Sequence, residues 1–197
     1  MSGMLKKAQA IAAVLGEGWS ARKGVWGGGG DAFLDGPNGE RLHVRPGTRT
    51  VSKGRVEISG VLDNKFTRYN EPNHVITVSP DKAPARIAGD IERRLLPAYQ
   101  EALAENKRRK AEHENAEAEK ERTLTTLAGI LPDSTRLGGQ PDHVGFGGGK
   151  YGSRRIGGEV QFVRGGELEW VIRTNDERAG LALAELLYKA TRELKGD

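Results

Sequence analysis

The chain has 197 residues, 36% of them apolar, with no cysteine, a net charge of +4 and a pI near 9.4. That length and apolar share favour two small domains over one tight globule. The missing cysteine excludes disulfides, thiolate catalysis and Cys-ligated zinc, and the modest basic excess falls well short of a DNA-packaging protein.

The excess is uneven. The first 105 residues hold 15 Lys and Arg against 12 Asp and Glu, whereas residues 123–197 hold 10 against 10. Lys6 and Lys7 precede a short apolar run, but the run is brief and lacks a small-residue cleavage site. It reads as an amphipathic helix rather than an export signal, so a cytoplasmic protein is expected. No stretch approaches the ~20 apolar residues that span a bilayer, and no membrane partner is expected.

Residues 5–15 place Leu5, Ile11, Ala12 and Leu15 on one helical stripe, stopped by Gly16 and Gly18. Residues 18–26 read as strand. Residues 31–45 form a hairpin about the turn signal Asp35-Gly36-Pro37-Asn38-Gly39. Residues 54–62 alternate as a strand through Val56 and Ile58, with a break at Gly60, and residues 73–79 give a further strand. Ser79-Pro80-Asp81 predicts a helix start, with Ile87, Ile91, Leu95 and Tyr99 on the buried side and a kink at Pro97.

The second half repeats this layout. Residues 122–131 predict a helix stopped by Pro132, 142–148 a strand, 157–173 a hairpin, and Thr174-Asn175-Asp176 the start of a last helix. The expected fold class is α+β: two similar helix–antiparallel sheet–helix repeats, 1–103 and 122–197, joined by a charged helical linker at 104–121. In the linker the apolar stripe stops, and Glu105–Arg109, Arg108–Glu112 and Lys110–Glu114 lie four apart with opposite charge. It lacks the apolar seam of a coiled coil and reads as a solvated spacer.

Gly147-Gly148-Gly149-Lys150-Tyr151-Gly152 satisfies G-x-G-x-x-G, but strand-like sequence follows where a dinucleotide fold needs a helix. A phosphate loop fails too: Val144 stands at the first glycine position, and Tyr151 where Ser or Thr would meet Mg²⁺. An equivalent glycine run, 27–30, follows Trp26. Both runs read as loops between strands. The second, beside Lys150, Arg154 and Arg155, also has the composition of an anion nest.

His43, His74 and His143 each precede a valine and read as strand-edge histidines. None has a second ligand at metal spacing, so no metal and no cofactor are expected. No carboxylate pair or nucleophile motif suggests catalysis, and a non-enzyme is expected. The notable composition lies at 41–68, where Arg41, Arg45, Arg49, Lys53, Arg55, Lys65 and Arg68 are opposed by Glu40, Glu57 and Asp63. If they converge, they would neutralise backbone phosphates. Arg93 and Arg94 would extend the stripe. A mixed-sign solvated surface is the plainer reading of the same residues.

The segments RLHVRPG, RVEISG and ITVSPDKAPARIAGDIERRLLPAYQEAL resemble an uncharacterised protein family of actinobacterial genomes, their phages and mobile elements, over about residues 5–115. The resemblance implies a high-GC actinobacterial or phage origin, and no activity or site residue. Helix–strands–helix units are also similar in shape to double-stranded RNA-binding domains and TATA-binding-protein repeats, without their motifs. The leading expectation is a non-enzymatic, phage-type protein contacting nucleic acid, DNA more than RNA, through basic loops. The alternative is an accessory module that docks on a host protein or assembles in a phage particle, with Trp19, Trp26 and Trp170 as anchors.

Overall fold

The structure, a computed structural model, describes residues 3–25, 30–131, 133–136, 142–147, 156–163 and 166–195. Its fold is α+β, with helices and two antiparallel sheets, and the chain divides into two compact units, Met1–Glu112 and His113–Asp197.

In Met1–Glu112, helix α1 (Gly3–Leu15) buries Ala8, Ile11 and Ala12, while Leu5 and Leu15 pack at the margin of the core. Strands β1 (Ser20–Lys23), β2 (Ala32–Asp35), β3 (Arg41–Pro46), β4 (Val56–Gly60) and β5 (Val75–Val78) form a meander, each antiparallel to its neighbour. Strand alternation aims Ala32, Leu34, Leu42, Val44, Val56, Ile58, Ile76 and Val78 at the helices. Each such aliphatic side chain larger than alanine stabilises the fold by roughly 1.5–3 kcal/mol when fully buried.

Helix α2 (Pro84–Asp90) begins later than the Ser79-Pro80-Asp81 signal suggests. Ser79 Oγ instead accepts from the Asp81 N–H at 3.4 Å and closes a local turn. Ala83 is extended (ψ 142°), the conformation that a following proline imposes, and Pro84 opens the helix. A π-helical turn, Ile91–Leu95, leads into α3 (Leu96–Ile130). The Leu96 N–H donates to the Ile91 carbonyl, so the disturbance expected at Pro97 takes the form of a widened turn just ahead of it. The helix then continues past Pro97.

Tyr99 closes the core. It is fully buried, and its ring lies over Gly60, where a Cβ would sit 2.2 Å from the ring. Its hydroxyl lies 2.9 Å from the Val61 carbonyl and 3.1 Å from both the carbonyl and the N–H of Arg41. Burial pushes the phenol pKa up. Further along α3, buried Asn106 bonds to the Asp63 backbone, and Arg109 reaches the Phe66 carbonyl and Glu71, each at 3.0 Å. The predicted pairs Glu105–Arg109 (3.0 Å) and Arg108–Glu112 (2.9 Å) form. Arg108, with Arg109, brings Glu105 down to about 2.

In His113–Asp197, strands β6 (Thr135–Arg136), β7 (His143–Phe146), β8 (Ile156–Phe162) and β9 (Leu168–Thr174) form an antiparallel sheet in that order. Its buried apolar residues, among those described, are Leu124 from α3, Val144, Phe146 and Val160. Helix α4 (Glu177–Lys195) starts as predicted, with Asp176 Oδ1 accepting from the N–H groups of Arg178 and Ala179. Along α4, Leu181, Leu186 and Tyr188 are exposed.

Candidate nucleic-acid interface

Strand alternation puts Arg41 and Arg45 on the sheet face opposite the helices, with Arg22, Phe33 and His43. Those cations are matched. Asp35 accepts from Arg22 at 2.7 Å and from Arg41 at 2.8 Å. Burial alone would raise the Asp35 pKa, and the two arginines, Arg41 foremost, hold it below the ordinary value. Arg45 faces Glu57 across the β3–β4 register and bonds to it through Nε at 3.0 Å and Nη2 at 2.5 Å. Arg22 also lies over the Phe33 ring, 4.5 Å from its centroid.

Arg49, Lys53 and Arg55 sit elsewhere, in the β3–β4 loop. Residues 47–55 contain no acid, and among the described residues none of the three cations has a carboxylate partner. The Arg55 guanidinium donates to the Thr77 carbonyl at 3.1 Å. The loop is tightly built. The Gly47 N–H donates to the Arg55 carbonyl, and a Cβ on Gly47 would lie 2.0 Å from the Ser52 carbonyl oxygen. Ser52 is buried, its N–H donates to the Arg49 carbonyl, and its hydroxyl lies 3.3 Å from that oxygen and from Glu57. Val51 stands at the tip, 88% exposed. The seven-cation run at 41–68 is thus divided: Arg41 and Arg45 in ion pairs on the sheet, Arg49, Lys53 and Arg55 in the loop, Lys65 over the Phe66 ring, and Arg68 with its N–H on Glu71.

A second cationic group was only half legible in the sequence. Buried Asp90 accepts from Lys82 and from Arg93 at 3.2 Å, and Arg94 lies 3.8 Å away as an ion pair, so one carboxylate faces three cations. The Lys82 hydrogen bond is the main force holding the Asp90 pKa down, against burial and with help from Arg94 and Arg93. Lys7 of α1 donates to the Pro80 carbonyl. Exposed Asp81 and Glu92 are the other carboxylates in this stretch. The i+3 and i+4 spacing of Arg93 and Arg94 from Asp90 was the available signal for part of the group. Lys82 and Lys7 come from other elements.

Two of the histidines, His43 and His143, have carboxylate partners that spacing did not reveal. His43 Nε2 lies 2.9 Å from Asp31 Oδ2, and its ring stacks on Phe33 at 4.7 Å. Asp31 is only 4% exposed, and its Oδ1 has no hydrogen-bond partner among the described residues. His143 Nε2 lies 2.9 Å from Glu159, which also accepts from Arg173 at 3.1 Å. Arg173 foremost, with His143, lowers the Glu159 pKa against burial. Among the described residues no cluster of three metal-binding side chains occurs.

Trp19 packs against the first core, whereas Trp170 is 43% exposed. Trp26, Lys150, Arg154 and Arg155 lie outside the described residues, as do most of both glycine runs. A groove of about 730 Å³ runs between α3 and the β8–β9 hairpin, with Phe162, Val163 and Leu168 beside Lys120 and Asp142. Among the described residues, no helix is long and apolar enough to cross a membrane. No family model, curated protein or solved structure matches the chain.

Proposed function

We propose that this chain is a non-enzymatic binding protein of phage or mobile-element type that contacts nucleic acid, DNA in preference to RNA, through basic loops. The observation that carries the reading is the β3–β4 loop, where Arg49, Lys53 and Arg55 lack carboxylate partners among the described residues around a well-braced tip. An unmatched cation on a structured loop gives up little conformational freedom when it meets a phosphate. Each phosphate it neutralises releases condensed counterions, which makes affinity fall with salt. The Lys82, Arg93 and Arg94 group offers further phosphate contacts. Arg41 and Arg45, already paired, position the loop's base.

The finer architecture belongs to the same reading: two copies of one helix–sheet–helix plan joined by a charged helix, with Lys150, Arg154 and Arg155 as the second copy's basic loop. The placement of His43 beside Asp31, which directly precedes the neighbouring strand β2, and of His143 beside Glu159 on the neighbouring strand β8 supports it. The test is a salt-titrated binding assay on duplex DNA and duplex RNA. The reading expects salt-sensitive binding, tighter to DNA, that weakens in R49A/K53A/R55A. Absence of binding at low ionic strength rejects it.

The exposure of Trp170 favours a second reading, a module that docks on another protein. Stoichiometric recovery of one partner, unaffected by nuclease, would support that reading over the first.

A further inference from the structure

Strand β9 ends its sheet. All seven of its residues, Leu168–Thr174, pair with β8, and among the described residues no strand pairs with its other edge. A free edge presents a row of unpaired N–H and C=O groups, and proteins usually blunt such edges by shortness, lysine, proline or a bulge. The edges of the first sheet are short: β1 and β5 have four residues each, and β1 carries Arg22 and Lys23. β9 has the sequence LEWVIRT, longer and free of lysine, proline and glycine.

The register sorts the β9 side chains. Trp170 lies opposite Val160, Ile172 opposite Gly158 and Leu168 opposite Phe162, so these three share the apolar face with Val144 and Phe146. Glu169, Val171 and Arg173 share the other face.

We propose that β9 pairs antiparallel with β9 of a second copy of this chain, about a two-fold axis through Val171, joining two four-stranded sheets into one. This register pairs all seven residues. Val171 meets its own counterpart, and Trp170 meets Ile172 of the second copy. Glu169 meets Arg173 of the second copy, and the symmetry repeats that pair on the other side of the axis. Apolar side chains therefore meet at the centre, each Glu169 faces a guanidinium, and Leu168 meets Thr174 at the two ends. A slip of one residue would set Trp170 against Val171 and mix the two faces. A slip of two in the pairing, moving the axis to Trp170 or Ile172, leaves Glu169 opposite Val171 or Asn175 and shortens the ladder. The present contacts of these charges, Glu169 with Gln161 and Arg173 with Glu159, leave each side chain further hydrogen-bonding capacity across the edge.

Sedimentation velocity on the full chain, up to high-micromolar concentration, tests the pairing. A dimer is expected, and Glu169→Arg, which sets like charges opposite at two symmetric places, is expected to raise its dissociation constant about ten-fold. Because the chain has no cysteine, single-cysteine variants report the register without relying on that substitution. Val171→Cys is expected to cross-link on oxidation far more readily than Glu169→Cys or Arg173→Cys. A monomer throughout the concentration range, a dimer indifferent to Glu169→Arg in a variant that keeps its circular dichroism, or strongest cross-linking at 169 or 173 would overturn the proposal.

Discussion

In Met1–Glu112, seventeen buried apolar residues from α1, the α2–α3 segment and four strands make one continuous cluster with Tyr99 inside it. In His113–Asp197, the described buried apolar residues are Leu124, Val144, Phe146 and Val160, and the apolar face of β9 keeps Trp170 and Leu168 at the surface. In both units antiparallel strands are followed by a helix, opened by Pro84 without a side-chain cap in the first and capped by Asp176 in the second. The difference lies in what meets the sheet. The first unit satisfies its apolar face internally and presents charge at a loop. The second leaves apolar surface on a long edge strand. A small domain with few buried side chains has little margin over its conformational entropy, so the second unit is expected to open first and to gain most from a partner.

The largest effect should come from the first core. Ile58→Ala removes a fully buried side chain in a close-packed cluster and is expected to cost ~3 kcal/mol, read as a lower midpoint in urea unfolding. Gly60→Ala should cost ~2 kcal/mol, because the added methyl would overlap the Tyr99 ring and either the strand or α3 must shift. Unchanged stability in this variant would remove Tyr99 from its role as the core's closing element.

Asp90→Asn is expected to cost ~2 kcal/mol by weakening the charged hydrogen bonds to Lys82 and Arg93 and removing the longer ion pair to Arg94. The sign of its pH dependence follows from the lowered pKa. The contribution of Asp90 is complete above the ordinary carboxylate value near 4 and is lost as pH falls through the lower, folded-state value. The difference between wild type and Asp90→Asn should therefore shrink in acid and stay constant through neutral pH.

Hydrogen exchange sharpens the contrast between the units without mutation. Amides of β7 and β8 are expected to exchange through openings of lower free energy than those of β3 and β4. Equal protection would mean that the second sheet is as firmly held as the first. The smallest effect on stability belongs to R49A/K53A/R55A, within ~0.5 kcal/mol of wild type, since these side chains make no carboxylate contact among the described residues.

Much of this architecture is legible in residue order. Alternation across Leu42 and Val44 marks β3, and the 3.6-residue rhythm of Ile87, Ile91, Leu95 and Tyr99 marks the helical face beneath the sheet. Other features needed the third dimension. Gly60 reads as a break in a strand, but its reason is a tyrosine 39 positions away. The start of α2 was hidden by a capping signal at Ser79, although the Ala83–Pro84 pair carried the stronger steric rule. Two-residue β6 has too few positions to show a period. For the site, counting cations at 41–68 located the basic composition but could not divide it. Which arginines are neutralised depends on register, which sets Arg45 beside Glu57 and Arg41 within reach of Asp35. Arg49, Lys53 and Arg55 stand apart because their loop contains no acid.

The most direct measurement is the salt dependence of duplex DNA binding by wild type and R49A/K53A/R55A. The expected result is a linear fall of log K with log salt for wild type, and a slope shallower by about three in the variant at unchanged stability. Parallel slopes, or no association in dilute salt, would contradict the assignment of the loop as the contact to phosphate.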